Sequence, residues 1–204
     1  MIKQGRLVIV TGIDGCGKSS LLDELEKIGH HVSHWRRLAK KDLEQSLNFT
    51  SPASYVQTLD GRKRLDFIRR YIETEWKYLI KPALLAGGDI IADSFFIKFY
   101  GKEQIYGRLL VHELLGISPL TGKELIVFID TPPEMAFQRK QNQKISKYEC
   151  YKSRDDFIEF QTILRGNILS FTDTFERVVI DGTKSSESVL LNFVEVLEKY
   201  GIRP

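Results

Sequence analysis

The stretch Thr11-Gly12-Ile13-Asp14-Gly15-Cys16-Gly17-Lys18-Ser19-Ser20 carries the complete pattern G-x-x-x-x-G-K-[ST] from Gly12 to Ser19. Before it runs Leu7-Val8-Ile9-Val10-Thr11, a β-branched apolar run that reads as a buried strand. After it, Leu21, Leu22, Leu25 and Ile28 recur at helical spacing. Strand, loop and helix in that order define a phosphate-binding turn. The glycines let backbone N–H groups turn inward around phosphate oxygens, and a helix beginning near Lys18 adds the positive end of its dipole. Lys18 is expected to reach the β- and γ-phosphates of a nucleotide, and the Ser19 hydroxyl to hold Mg²⁺. Gly12, Gly15, Cys16, Gly17 and Ser20 complete the expected contact set of the loop.

The remaining composition suits one α/β domain spanning residues 1–204. Hydrophobic residues make up 42%, enough for a core, and no apolar run approaches the length of a membrane span. Strand residues begin within a few positions of Met1, which argues against a signal peptide. The two cysteines, Cys16 and Cys150, make no disulfide framework, so a reducing cytoplasm is the expected setting. A net charge of +3 is too mild to separate small anionic substrates from nucleic acid.

Strand and helix signals alternate along the chain without a linker or repeat. His31-Val32-Ser33-His34-Trp35 is a short strand candidate, followed by a polar helix candidate around 38–47. Leu65, Ile68, Ile72, Trp76 and Leu79 form the stripe of a long amphipathic helix that meets Pro82 and stops by Gly87-Gly88. Arg62, Lys63 and Arg64 read as its solvated start. Ile90-Ile91-Ala92-Asp93 and Leu125 to Asp130 are strands ending in carboxylates. A helix follows Pro132-Pro133, and a longer one carries Phe157, Phe160, Leu164 and Ile168. Arg177 to Asp181 is the last strand, and Val189, Phe193, Val196 and Tyr200 mark the last helix. Five strands, each followed by helix, imply a three-layer fold: a five-stranded parallel sheet with helices on both faces. Ligands then bind beyond the carboxyl ends of the strands, where Asp14, Asp93 and Asp130 fall. Asp93 can hold Mg²⁺ directly or through water, or merely cap a turn. His30, His31 and His34 cluster near the second strand, but no cysteine or nearby carboxylate group completes a metal site there in the sequence.

Four stretches together resemble the thymidylate kinases, within the P-loop nucleoside monophosphate kinases: "TGIDGCGKSS", "IKPALLAGGDIIAD", "VFIDTPPEMAFQRK" and "RVVIDGTKSSESV". The resemblance covers nearly the whole chain. It implies ATP and Mg²⁺ as cofactors and small nucleotides as partners, with neither nucleic acid nor membrane. Family members commonly pair as dimers, so a homodimer is expected. Lys18, Asp93, Arg139 and Arg154 are the implied catalytic residues. Arg139 matches the family's arginine on the adenine side, with Gly182 in the closing loop, and Asp14 is implied to meet the sugar 3′-hydroxyl of the acceptor. The family places an arginine either in the phosphate loop or in a lid. Gly15 and Cys16 fill the loop positions here, so the basic segment of about 139–154 is the expected lid.

On the acceptor side the chain departs from the family pattern. The Asp-Arg pair reads Asp93-Ser94, and the segment Arg-Glu-Pro-Gly reads Arg36-Arg37-Leu38-Ala39. Lys98, Arg36 and Arg37 are candidates for the acceptor phosphate. The long helix normally carries an aromatic four residues before an arginine. Phe67 and Arg70 lie near those places without that spacing, and Phe67 stacks on a base only if the helix register differs. Phe95 to Tyr100 either closes over a base or belongs to the core, with Tyr100 the candidate contact. The expected activity is ATP-dependent phosphorylation of dTMP or of a related or modified nucleoside monophosphate. The alternatives are another small anionic acceptor, or a nucleotide-binding protein that has lost kinase activity.

Overall fold

The structure is a computed structural model and describes residues 5–34, 60–105, 116, 119–141 and 153–204. The strands are Leu7–Thr11 (β1), Val32–Ser33 (β2), Ile90–Asp93 (β3), Leu125–Asp130 (β4) and Glu176–Asp181 (β5). They form one parallel sheet in the order β2-β3-β1-β4-β5. The central strand β1 sets Val10 beside Asp93 on one side and Val127 on the other. The helices are Lys18–Lys27 (α1), Gly61–Glu75 (α2), Lys81–Leu85 (α3), Phe95–Ile105 (α4), Pro133–Gln141 (α5), Arg154–Phe171 (α6) and Ser186–Lys199 (α7). The expected parallel sheet, covered on both faces, is therefore what the chain forms. The polar helix expected around 38–47 lies outside the described residues.

Alternation along each strand divides the core in two. Val8, Val10, Ile91, Val127 and Ile129 face Leu21, Leu22 and Leu25 of α1 and Val189, Phe193 and Leu197 of α7. Ile9, Ala92, Ile126 and Phe128 face Leu65, Ile68 and Ile72 of α2, Phe95 and Phe96 of α4, and Leu164 and Ile168 of α6. Each fully buried Val, Leu, Ile or Phe among them contributes about 1.5–3 kcal/mol. Side-chain caps set three helix starts: Asp60, Ser153 and Ser185 accept from the N–H groups of Lys63, Asp156 and Ser188.

The helix expected to run unbroken to Gly87 has a π-helical turn at Trp76–Ile80 before α3. Lys81 N–H donates to Trp76 O, five residues back. Pro82 has no N–H and its ring crowds the preceding turn, so the wider turn absorbs the mismatch. It adds one residue to the helix and rotates α2 by about 100° relative to an uninterrupted register. Arg64 is not solvated as the sequence suggested. Its guanidinium makes two bonds to Glu103 of α4, at 2.8 and 3.1 Å, with both side chains over 95% buried. Burial pushes the Glu103 carboxyl up, and Arg64 offsets only part of that. This pair fastens α2 to α4 above the sheet.

Candidate active site

Helix α1 starts at Lys18, and Gly17 stands at its N-cap in the left-handed region (φ 93°) with no side-chain cap. The first N–H groups of the helix are thus left for a ligand. A Cβ on Gly17 would meet nothing nearer than Arg139 Nη1, at 3.9 Å, so space opens directly above the loop. On the other side the loop is seated tightly: a Cβ on Gly15 would fall 2.6 Å from Ala136 O of α5. Ser19 and Ser20 are exposed. Cys16 belongs to the expected contact set through its backbone alone, because its thiol is buried in the core between sheet and α1.

Lys18 forms an ion pair with Asp93, and both side chains are at least 95% buried. Asp93 ends β3, where Ser94 and Phe95 adopt positive φ angles of 54° and 35°. Two consecutive non-glycine residues in this region are strained, and the strain lets α4 begin at once beside the site. Ser94 is 2% exposed, and its Oγ and the Oγ1 of Thr11 are buried without a hydrogen-bond partner.

Asp14 is the second centre of charge. Its Oδ1 accepts from Lys98 Nζ at 2.6 Å, and Lys102 Nζ lies 3.2 Å from Oδ2. Lys98 and Lys102 are one turn apart on α4, so both reach the same carboxylate. Gln161 of α6 accepts from Asp14 N–H at 2.9 Å and donates to Oδ2 at 3.2 Å. Burial alone would raise the Asp14 carboxyl. The charges of Lys102, Lys98 and Lys140, with the Lys98 hydrogen bond, outweigh it and hold the group well below the usual carboxylate range. Neither Lys102 nor Gln161 stood out in the sequence. Gln161 falls on the apolar stripe of its helix, four residues after Phe157, and only a polar residue at an interior position hinted at it.

Arg139 bridges two loops. Its Nη2 donates to Gly182 O at 2.8 Å, and its Nη1 lies 3.5 Å from Cys16 O, so one guanidinium ties the phosphate loop to the loop after β5. Arg154 begins α6 and is 59% exposed, two turns before Gln161 on the same helix face. Asp130, the third strand-end carboxylate, is turned elsewhere: Arg165 binds both its oxygens at 2.7 Å and pins α6 to β4. That pair lines a pocket of about 490 Å³ with Pro132, Pro133 and Val179, which does not include the phosphate loop.

The acceptor candidates divide. Lys98 reaches Asp14, as above. Phe67 packs 4.5 Å from Tyr71 in a small aromatic group, and Phe99 joins that group to the core under α2 and α4. The π turn sets that register. Tyr100 points the other way: Lys98 and Lys102 face Asp14, so the residue halfway between them faces Phe171, at 4.4 Å between rings. Phe95 and Phe96 are core residues. Arg70 is on the exposed side of α2. Arg36 and Arg37, and the middle of the expected lid, lie outside the described residues.

The donor set fits the implied cofactors. Ser19 and Asp93 offer hard oxygen ligands of the kind Mg²⁺ prefers, at the start of α1 and the end of β3. Lys18 stands beside Asp93, and the uncapped helix start opens above Gly17. No helix among the described residues is long and apolar enough to cross a membrane.

No family model matches the chain. It is 26% identical to a thymidylate kinase of Caldanaerobacter subterraneus subsp. tengcongensis, with 97% of each chain covered. It is 27% identical to a thymidylate kinase of Dinoroseobacter shibae, covering 95% of this chain and 97% of that one. Among solved structures, a deoxyadenosine kinase from M. mycoides, determined with dCMP and dCDP bound, superposes with a TM-score of 0.68 at 14% identity. That superposition covers 95% of this chain and 99% of the other, and it establishes the shared fold. In sequence the chain is thymidylate kinase-like over nearly its whole length, and it is a phosphotransferase.

Proposed function

We propose that this protein transfers the γ-phosphoryl group of ATP to dTMP or a closely related nucleoside monophosphate. The observation that carries the reading is the pairing of a complete, uncapped phosphate loop with the buried Lys18–Asp93 ion pair at its base. When bound, ATP with Mg²⁺ supplies the phosphoryl group and part of the charge that stabilises its transfer. Lys18, released from Asp93, places its ammonium against the transferring phosphate, while Asp93 and Ser19 serve the metal. Arg139 holds the donor side through Cys16 and Gly182, and gives the adenine a cationic plane. Arg154, exposed at the start of α6, is the resemblance's candidate for further positive charge on the transferred phosphate.

Asp14 receives a sugar hydroxyl of the acceptor, as the resemblance implies. Its low pKa keeps it an acceptor of hydrogen bonds across the physiological range. Lys98 serves the acceptor phosphate in place of the family arginine absent at Ser94. Phe67 and Tyr71 form the aromatic wall beside the base. A specific observation favours a second reading, an acceptor other than dTMP: Asp14 is engaged by two lysines and a glutamine, and Ser94 stands where the family's Asp-Arg pair has its arginine. A coupled assay of ADP release across a panel of nucleoside monophosphates tests both. Selective turnover of dTMP supports the first reading, and selective turnover of another anionic acceptor supports the second. Absence of turnover with every acceptor tried overturns the assignment as a monophosphate kinase.

A further inference from the structure

We propose that Asp23, Glu26 and His34 form a binding site for a divalent first-row transition cation, Zn²⁺ in particular, on the flank of the phosphate loop. The three residues come from two parts of the chain. Asp23 and Glu26 are one turn apart on α1, and His34 follows the last residue of β2. One ligand atom from each lies within 4.8 Å of the other two. The side chain of His34 is 9% exposed, and its Nε2 is buried without a hydrogen-bond partner. A buried ring nitrogen left unmatched carries a cost, and such a group calls for an explanation.

Geometry supplies one. His34 Nε2 stands 3.5 Å from Glu26 Oε1 and makes no hydrogen bond with it. Two ligands of a single tetrahedral Zn²⁺, each bound at about 2.0–2.2 Å, are separated by about 3.4 Å. The nitrogen and the carboxylate oxygen are thus spaced as neighbouring ligands of one ion. The other nitrogen of the ring is turned towards a carboxylate. His34 Nδ1 lies 3.9 Å from Asp93 Oδ2, longer than a hydrogen bond but on the side from which an outer carboxylate orients a ligating ring. One imidazole with two carboxylates favours Zn²⁺, Co²⁺ or Mn²⁺ over Mg²⁺, which prefers oxygen alone. Three protein ligands leave one position for water.

Nothing here depends on bound nucleotide or on the identity of the acceptor. The site is separate from the Ser19–Asp93 pair assigned to Mg²⁺, although His34 connects it to Asp93. A cation there fixes α1 against the end of β2 beside the buried Lys18–Asp93 pair.

The test uses the full chain, freed of metal by chelation and held without nucleotide or Mg²⁺. Co²⁺ is titrated and its visible absorption followed, then Zn²⁺ is added in competition. The expected result is one Co²⁺ per chain, displaced by Zn²⁺. His34→Ala is expected to weaken binding at least tenfold, Glu26→Gln to weaken it measurably, and His31→Ala, an exposed neighbour, to leave it unchanged. Circular dichroism establishes that each variant is folded. If His34→Ala does not fold, folded Glu26→Gln decides: parental affinity in it overturns the site. The site is equally overturned if the parent protein binds neither ion, or if folded His34→Ala binds as tightly as the parent.

Discussion

The side-chain amide of Gln161 holds Asp14 at two points, accepting from its backbone N–H at 2.9 Å and donating to its carboxylate at 3.2 Å. The middle of α6 is thereby locked to the phosphate loop, and the Asp14 carboxylate is presented with a fixed orientation. Lys98 and Lys102 reach the same carboxylate from α4, so loop, α4 and α6 converge on one buried charge.

Asp14 gives the fold a pH dependence of definite sign. Its folded-state pKa lies well below the ordinary value of 3.8. Its contribution to stability is therefore complete above the unfolded value and is lost as pH falls from there through the folded pKa. Denaturant midpoints measured between pH 6 and pH 2 should fall steeply in the acid limb for the parent. In Asp14→Asn the midpoint should start lower at neutral pH, with Lys98 and Lys102 deprived of their carboxylate, and that part of the acid limb should flatten. An unchanged slope would contradict the assignment of the acid limb to Asp14.

Lys18→Met should reduce phosphoryl transfer by about 10²–10³-fold or more, because the charge facing the transferred phosphate is gone. It also leaves Asp93 buried without its ion-pair partner, which costs about 3–5 kcal/mol when a buried pair is broken from one side. ADP release and thermal unfolding, measured on the same preparation, separate the two effects. Turnover within about threefold of the parent would refute the kinase reading.

Arg139→Ala removes the bond to Gly182 O and the approach to Cys16 O. Charge-assisted bonds of this kind contribute about 1.5–3 kcal/mol each. The KM for ATP should rise by about tenfold or more while the KM for the acceptor stays near that of the parent. Steady-state kinetics with each substrate varied in turn distinguish this from a general loss of folding.

Ser94→Arg should give no gain in dTMP phosphorylation. Ser94 is 2% exposed, has φ 54° and sits where α4 begins, so a guanidinium has neither room nor supporting partners. A clear increase in turnover of dTMP, with no better acceptor found in the panel, would show that the family arginine was the only missing part.

Cys16 should react slowly with bulky thiol reagents despite its place in the loop, because its side chain is 3% exposed. Its labelling rate should follow local opening and fall further in the presence of ATP–Mg²⁺. Labelling as fast as that of a fully exposed thiol would contradict the buried placement.

The strand, loop and helix around Gly12 to Ser19 were legible in the sequence because their signals are local: β-branched residues in a run, glycines at fixed offsets and apolar residues at helical spacing. The parallel sheet was legible for the same reason, since apolar strand runs alternating with helical stripes admit few other arrangements. The donor-side candidates were proposed from the motif and the resemblance alone. What the sequence by itself did not contain were the long-range pairings. Arg64 looked like part of a solvated basic run until Glu103, 39 residues on, met it in the interior. Gln161 lies 147 residues from Asp14, and Asp23, Glu26 and His34 converge only when β2 is laid into the sheet beside α1. The phase of Phe67 and Tyr71 depended on a π turn that Pro82 favours but no periodicity reveals. Local sequence thus determined the elements and the phosphate loop, because backbone preference and hydrophobic period act over a few residues. Tertiary structure decided which charges are neutralised and which side chains share the site, because those depend on helix phase and on contacts between distant segments.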